Sequence, residues 1–219
     1  MPKKPKIAIF TTPQGHLSMA EAITQKIKQL AGDKFEVVQF FSNGILMKEY
    51  AMVYKFAPFI FSAPYNLGKI EKLATASESL LYRKFGDQIQ EFVQKHKPVV
   101  CINTNFVYNS SLNVVCKQEN SAFINVLANP GNVHPLEVSA VADYNLVLDS
   151  KSLTTLKKQY PDCSFVTTGW FVREQFEKPY SLARFRKKYA VANGFFHILI
   201  VSGSEGTSAV VKILPSLLK

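Results

Sequence analysis

Four short stretches of this 219-residue chain carry residues whose types and spacing could do chemistry. The first is "TTPQGH", Thr11 to His16, directly after an apolar run. With an ordinary pKa near 6.5, an imidazole at such a strand end can take a proton from a hydroxyl at neutral pH, and His16 is the candidate general base. Gly15 before it lets a substrate approach the backbone, and the free N–H groups of a following helix favour an anion or a developing negative charge. Near the other end, "GSEG", Gly203 to Gly206 followed by Thr207, reads as a second turn of the same kind. It has neither the GK[ST] of a Walker loop nor GxGxxG spacing, so an ordinary tight strand-to-helix turn is an equal reading. Between them, "VTTGWFVREQF" offers Arg173, able to grip a phosphate in bidentate fashion or to sit as a plain surface arginine. His134, in "NPGNVHPLEV", is a weaker candidate at the same kind of edge. His96 reads as a solvated helix end, and His197 as the start of a buried strand; neither is assigned a role.

These loops need elements to hold them. Continuous apolar runs mark strands covered on both faces. They are "KIAIFT" (6–11), "EVVQFF" (36–41), "VVCINT" (99–104), "AFINVL" (122–127), "YNLVLD" (144–149), "SFVTTG" (164–169) and "HILIVS" (197–202). Helical segments alternate with them. Leu17, Ala20, Ile23, Ile27 and Leu30 form one stripe, and "AGD" closes that helix. A longer helical region spans 66–97, with Ile70, Leu73, Leu80, Leu81, Ile89, Phe92 and Val93 facing inward and Pro98 stopping it. Alternation of this kind predicts an α/β fold with a Rossmann-like, doubly wound parallel sheet, whose ligands collect at the carboxyl ends of the strands.

Composition narrows the partners. Lys and Arg number 26 against 16 Asp and Glu, a net charge of +10, which points to an anionic partner: nucleic acid, a phospholipid surface or a phosphorylated substrate. Cys101, Cys116 and Cys163 lack CxxC spacing, so reduced, structural thiols are expected rather than a disulfide framework or a zinc site. No window reaches the roughly 20 apolar residues of a membrane span, and no signal-peptide stretch follows "MPKKPK". A cytoplasmic protein, or one peripheral to a membrane on its cytoplasmic face, is expected. The stretch 44–68, "GILMKEYAMVYKFAPFIFSAPYNLG", is crowded with aromatics and broken by Pro58 and Pro64. It reads either as a buried helical hairpin or as an interfacial segment, with Lys48, Lys55, Lys69 and Lys72 holding anionic lipids.

Taken in order, "GHLSMAEAI" (15–23), "TGWFVREQF" (168–176) and "GSEG" (203–206) resemble motifs of a known family, as does the proline-interrupted aromatic stretch 55–68. It is the GT-B glycosyltransferases of the monogalactosyldiacylglycerol synthase and processive diacylglycerol glucosyltransferase family. These enzymes are related to the N-acetylglucosaminyltransferase that forms peptidoglycan lipid II. The resemblance implies transfer of a hexose from a UDP-sugar to a lipid acceptor such as diacylglycerol, with inversion and with no cofactor or metal. It implies His16 as the base, and Gly15, Pro58, Tyr65, Asn105 and His134 on the acceptor side. Arg173, Gly203, Ser204, Glu205 and Gly206 would lie near the donor diphosphate. Two departures stand out: Asn105-Phe106 replaces the family's His-Pro pair, and "ANPGN" (128–132) replaces an Asp.

The same resemblance divides the chain into an acceptor-binding domain (1–176), a linker (177–196) and the first βα unit of a donor-binding domain (197–219). Most of the donor site would then lie on a further domain or a separate chain, and the chain alone is expected to be inactive. The rival readings are a non-catalytic, lipid-recruiting subunit of a two-chain transferase and a basic nucleic-acid-binding α/β protein. Against the latter, the aromatics cluster with prolines and aliphatics instead of interleaving with Arg on strands.

Overall fold

The computed structural model describes residues 4–13, 15–42, 71–129, 131, 133–190, 194, 198 and 214–216, with the side chains of 71–77 left aside. The aromatic stretch 44–68, with Pro58 and Tyr65, lies outside these residues. So do "GSEG", with Gly203, Ser204, Glu205 and Gly206, and His197 with all but one residue of the last apolar run.

Among the described residues, strands β1 (Lys6–Phe10), β2 (Glu36–Phe40), β3 (Val100–Asn103), β4 (Ala122–Val126), β5 (Tyr144–Val147) and β6 (Phe165–Thr167) form one sheet. Every pairing is parallel, and the order is β2-β1-β3-β4-β5-β6. The expected α/β, Rossmann-like parallel sheet is therefore what the chain forms. The α-helices are α1 (Gly15–Ala31), α2 (Glu71–His96), α3 (Asn109–Gln118), α4 (Ser150–Gln159), α5 (Glu174–Glu177) and α6 (Leu182–Lys188), with short 3-10 turns at Gly32–Lys34, Phe106–Tyr108 and Pro135–Glu137.

The period-two geometry of β1 explains its unbroken apolar run. Ile7 and Ile9 pack with Ala20 and Ile23 of α1 on one face, while Ala8 and Phe10 face Ile89 and Val93 of α2 and Leu112 and Val115 of α3 on the other. Phe10 is fully buried, a contribution of about 2–3 kcal/mol by its apolar area. Its ring meets Phe40 at 5.4 Å and Phe92 at 5.7 Å. Cys101 and Cys116 are buried in this second face, and all three cysteines are free. A hydrogen bond with Cys116, together with burial, pushes the Cys101 thiol upward and leaves it a poor nucleophile.

Two helix stripes are shorter than the sequence pattern suggests. Leu30 is 82% exposed because the buried part of α1 ends earlier, with Ala22 and Ile23. Leu80 is 67% exposed, whereas Ile89 and Val93 are buried as expected and Phe85 joins them on the inward face of α2. His96 is half-buried at the end of α2: its ring lies 4.4 Å from that of Phe92, and burial, then the charges of Lys6 and Lys95, hold its pKa below the ordinary value. Lys97, at φ 48°, turns the chain out of α2, and its N–H closes the last turn on Val93 O at 2.7 Å.

The sequence β1-α1-β2 runs toward one edge of the sheet, whereas β3-α3-β4 and everything after it run toward the other. Neighbouring strands β1 and β3 therefore send their chains to opposite faces. The carboxyl ends of this pair form the topological switch point, where open α/β sheets bind ligands.

Candidate functional site

The loops after β1 and β3 are sewn together at that switch point. Thr104 N–H donates to Phe10 O at 3.0 Å, and its hydroxyl donates to the Thr11 hydroxyl at 2.9 Å. Asn105 Nδ2 donates to the Thr12 hydroxyl at 2.7 Å, while Asn105 Oδ1 accepts from Val107 N–H at 3.1 Å. Thr11, Thr12, Thr104 and Asn105 are all buried. Tyr108 closes the floor: its hydroxyl donates to Thr11 O and accepts from Ser42 N–H, both at 3.4 Å, tying the ends of β1 and β2. Asn105 thus clasps two loops with both ends of its amide.

His16, one residue into α1, reaches across this seam. Its Nδ1 lies 2.5 Å from Thr104 O. A carbonyl can only accept, so Nδ1 carries the proton and Nε2 carries the lone pair. Burial lowers the pKa from the ordinary 6.5, and the bond to Thr104 opposes that only in part. The imidazole is therefore neutral at pH 7, with its basic nitrogen set by a backbone contact. Beside it, Gly15 is exposed, and a Cβ there would meet nothing within 4 Å. Among the described residues, nothing fills the space beside it. The first turn of α1 holds no acidic residue that would repel an anion.

Among its described residues, the connection from β4 to β5, 127–143, has no α-helix and only the 3-10 turn Pro135–Glu137. Its backbone needs other partners, and a row of asparagines supplies them. Asn103, Asn125 and Asn145 stand at matching register on β3, β4 and β5. Asn125 Nδ2 donates to Glu137 O at 2.7 Å and to Asn145 Oδ1 at 2.9 Å. Asn145 Nδ2 donates to Ser139 O at 2.8 Å and its Oδ1 accepts from Ser139 N–H at 3.1 Å. Asn103 Nδ2 donates to Asn109 Oδ1 at 2.7 Å, and Asn109 Nδ2 reaches Leu136 O at 3.0 Å. The loop bearing His134 is fixed by this ladder. His134 is buried and caps the 3-10 turn, its Nδ1 accepting from Leu136 N–H at 3.2 Å.

Glu137 shares that loop as a buried carboxyl, accepting from Asn129 Nδ2 at 2.8 Å. Burial pushes its pKa up, against the smaller opposing effects of Asn129 and His134. A pKa raised on folding means that the native state binds more protons, so the stabilising contribution is full below the unfolded value near 4.5 and is lost as pH rises through the folded value. Glu137→Gln keeps the oxygen that faces Asn129 and removes the charge. Its melting temperature should match or exceed that of the wild type at pH 7, and the advantage should shrink below pH ~4.5. Thermal melts across that range check this, and a Gln variant markedly less stable at pH 7 would contradict it.

Arg173 lies against α1. After β6, Gly169 at φ 75° turns the chain back across α1, where Phe171 packs on the Ile7, Ile9, Ala20 and Ile23 cluster. Arg173 Nη1 then pairs with Glu21 Oε2 at 3.2 Å, the guanidinium lies 5.2 Å from the centre of the Phe176 ring, and Glu174 N–H donates to Gln25 at 3.0 Å. Glu21 lies five residues beyond His16 on α1, about 7.5 Å along the helix axis.

The structure thus brings together His16, Gly15 and Asn105, holds His134 by the asparagine ladder, and ties Arg173 to α1. The ladder, Glu137 and the Thr104 carbonyl were not singled out from the sequence; the visible signal was an Asn inside each of three successive apolar runs. A separate hollow of about 510 Å³, lined by Val99, Asn120, Ser121 and Asp143 among others, lies at the amino ends of the strands, away from His16. No group of three or more His, Cys, Asp or Glu among the described residues could hold a metal ion, and no described helix is long and apolar enough to cross a membrane.

No family model matches the chain, and no curated protein does. Among solved structures, the crystal structure of Acinetobacter baumannii MurG is similar, with a TM-score of 0.43 and 15% sequence identity over 80% of this chain. The chain spans about half of that protein, 48% of its length, and at this level of likeness no activity is carried across.

Proposed function

We propose that the chain is the acceptor-binding part of a UDP-sugar-dependent glycosyltransferase, which passes a hexose to a lipid hydroxyl with inversion at the anomeric carbon. The observation that carries this reading is the His16 imidazole at the β1/β3 switch point, neutral and held by Thr104 O with Nε2 bearing the lone pair. In this reading Nε2 accepts the proton of the acceptor hydroxyl as its oxygen attacks the anomeric carbon, and the UDP diphosphate departs. The open space at Gly15 admits the acceptor, and the α1 N-terminus favours the negative charge that develops. The motif resemblance around residues 15–23 and 168–176 supplies the reaction class.

Donor contacts belong to "GSEG" and to a further donor-binding domain, in the same chain or a partner. Arg173 joins them only if a diphosphate displaces Glu21 from its guanidinium. The experiment joins this chain to such a domain and supplies labelled UDP-glucose, UDP-galactose or UDP-N-acetylglucosamine with diacylglycerol in detergent. A β-linked glycolipid from an α-linked donor is the expected product. Labelled donor bound without any transfer would favour a non-catalytic lipid-recruiting subunit, and neither binding nor transfer would remove the glycosyltransferase reading.

A further inference from the structure

The carbonyl that orients His16 belongs to the peptide between Thr104 and Asn105, which is trans and planar, so its C=O and the Asn105 N–H point opposite ways. Both ends are bonded. The C=O accepts from His16 Nδ1, and the N–H donates to Asn103 Oδ1 at 3.1 Å. Asn103 closes β3, is fully buried, and shares the α3 face of the sheet with Cys101 two residues before it. Its amide is fixed at the other end too, where Nδ2 donates to Asn109 Oδ1 of α3 at 2.7 Å. His16 belongs to α1, which packs on the opposite face. The 104–105 peptide is therefore a rigid link between a side chain on one face and an imidazole from the other, at the point where β1 and β3 send their chains apart.

We infer that Asn103 is a positioning residue for His16: by holding the Asn105 N–H it fixes the plane of the Thr104 carbonyl, and through that carbonyl it sets which imidazole nitrogen carries the proton. A backbone carbonyl is an uncharged orienter, and it acts only while its peptide keeps its plane. The tautomer of a histidine follows the hydrogen bond that one ring nitrogen makes. A peptide free to turn would release Nδ1 and let the proton return to Nε2, the form that free histidine side chains prefer. Nε2 would then have no lone pair for a hydroxyl proton. An apolar residue at 103 would continue the run of β3 but leave the Asn105 N–H without an acceptor, whereas asparagine offers an acceptor to that N–H and a donor to Asn109. The Thr104 hydroxyl and the Asn105 amide tie neighbouring atoms of the loop; Asn103 bonds the peptide itself. The effect on turnover rests on His16 being the base of glycosyl transfer, but the effect on the tautomer does not, so the two are measured separately.

The test reads the His16 ring by 15N shifts in the chain itself, and turnover in the chain joined to its donor-binding domain. Asn103→Leu fills the site and removes the acceptor, so the share of ring protonated at Nδ1 should fall. With it, kcat should drop about 10- to 100-fold while KM for the UDP-sugar stays within about two-fold. Asn103→Asp loses the Asn109 contact as Leu does but keeps an acceptor for the Asn105 N–H, and it should restore the Nδ1 proton and raise turnover above that of Asn103→Leu. Asn145→Ala breaks the same ladder two strands away and should lower stability with the ring unchanged. In the wild type, the Asn105 amide should exchange with solvent about 100-fold or more slowly than in the unfolded chain, a measurement that needs no variant and decides the matter if circular dichroism shows Asn103→Leu unfolded. An Nδ1 proton retained in Asn103→Leu, no recovery in Asn103→Asp, an equal change of the ring in Asn145→Ala, or an unprotected Asn105 amide would each overturn the assignment. Loss of the Nδ1 proton in Asn103→Leu, with no transfer even by the wild-type joined chain, would uphold it and remove only the glycosyltransferase reading.

Discussion

His16→Ala, in the chain joined to its donor-binding domain, is expected to lower kcat by about 10²- to 10⁴-fold while leaving the affinity for the UDP-sugar unchanged. The lost group would act on the acceptor hydroxyl in the transition state and make no contact with the donor in the ground state. The pH dependence should carry the same signature. Burial holds the His16 pKa below 6.5, so the base form persists as pH falls through 6.5, and kcat/KM should decline only on the acid side of that value. His16→Gln tests geometry against proton transfer, because a glutamine amide can still donate to Thr104 O but cannot act as a base at neutral pH. Its turnover should resemble that of His16→Ala. Undiminished turnover in either variant would rule out His16 as the base.

The second large effect is on stability. Asn145→Ala should destabilise the protein by about 3–4 kcal/mol in urea unfolding, through lost hydrogen bonds, a small cavity and a buried Ser139 N–H left without its acceptor. The neighbouring Tyr144→Phe, on a side chain 51% exposed, should stay within about 0.5 kcal/mol of wild type. Asn145→Asp should cost more than Ala, because a carboxylate oxygen would then face the Ser139 carbonyl in a buried site. A cost for Asn145→Ala no larger than that for Tyr144→Phe would show that the ladder does not hold the β4–β5 connection.

What could be read from the chain and what could not divide along physical lines. Five-residue runs such as "KIAIF" and "AFINV" announce themselves because a strand covered on both faces has no polar side to interrupt it. Their ends were set a residue or two long because residues such as Thr104 and Leu127 remain buried beyond the last ladder pairing. Helical period located α1 and α2 but overran at Leu30 and Leu80, since periodicity records what can face a core and not how far the core extends. The asparagines at 103, 125 and 145 sat in plain view within apolar runs. Their meaning depends on the register of three strands, which pairs residues some 20 positions apart. His16 was legible as a polar residue at a helix start. Its partner, Thr104, is 88 residues away, and only the β1–β3 adjacency joins them. Arg173 was read as a phosphate ligand from its distance to a glycine. The chain reversal at Gly169 and the pair with Glu21, 152 residues away in sequence, could not be read from that spacing.

Everything proposed for the site turns on a neutral His16 whose Nε2 carries the lone pair. Imidazole 15N shifts followed against pH, with His16→Gln used to assign the resonance, measure both properties on the chain itself. A ring protonated at Nδ1 that titrates below 6.5 is the expected result. A ring protonated at Nε2, or one that titrates at or above 6.5, would contradict it.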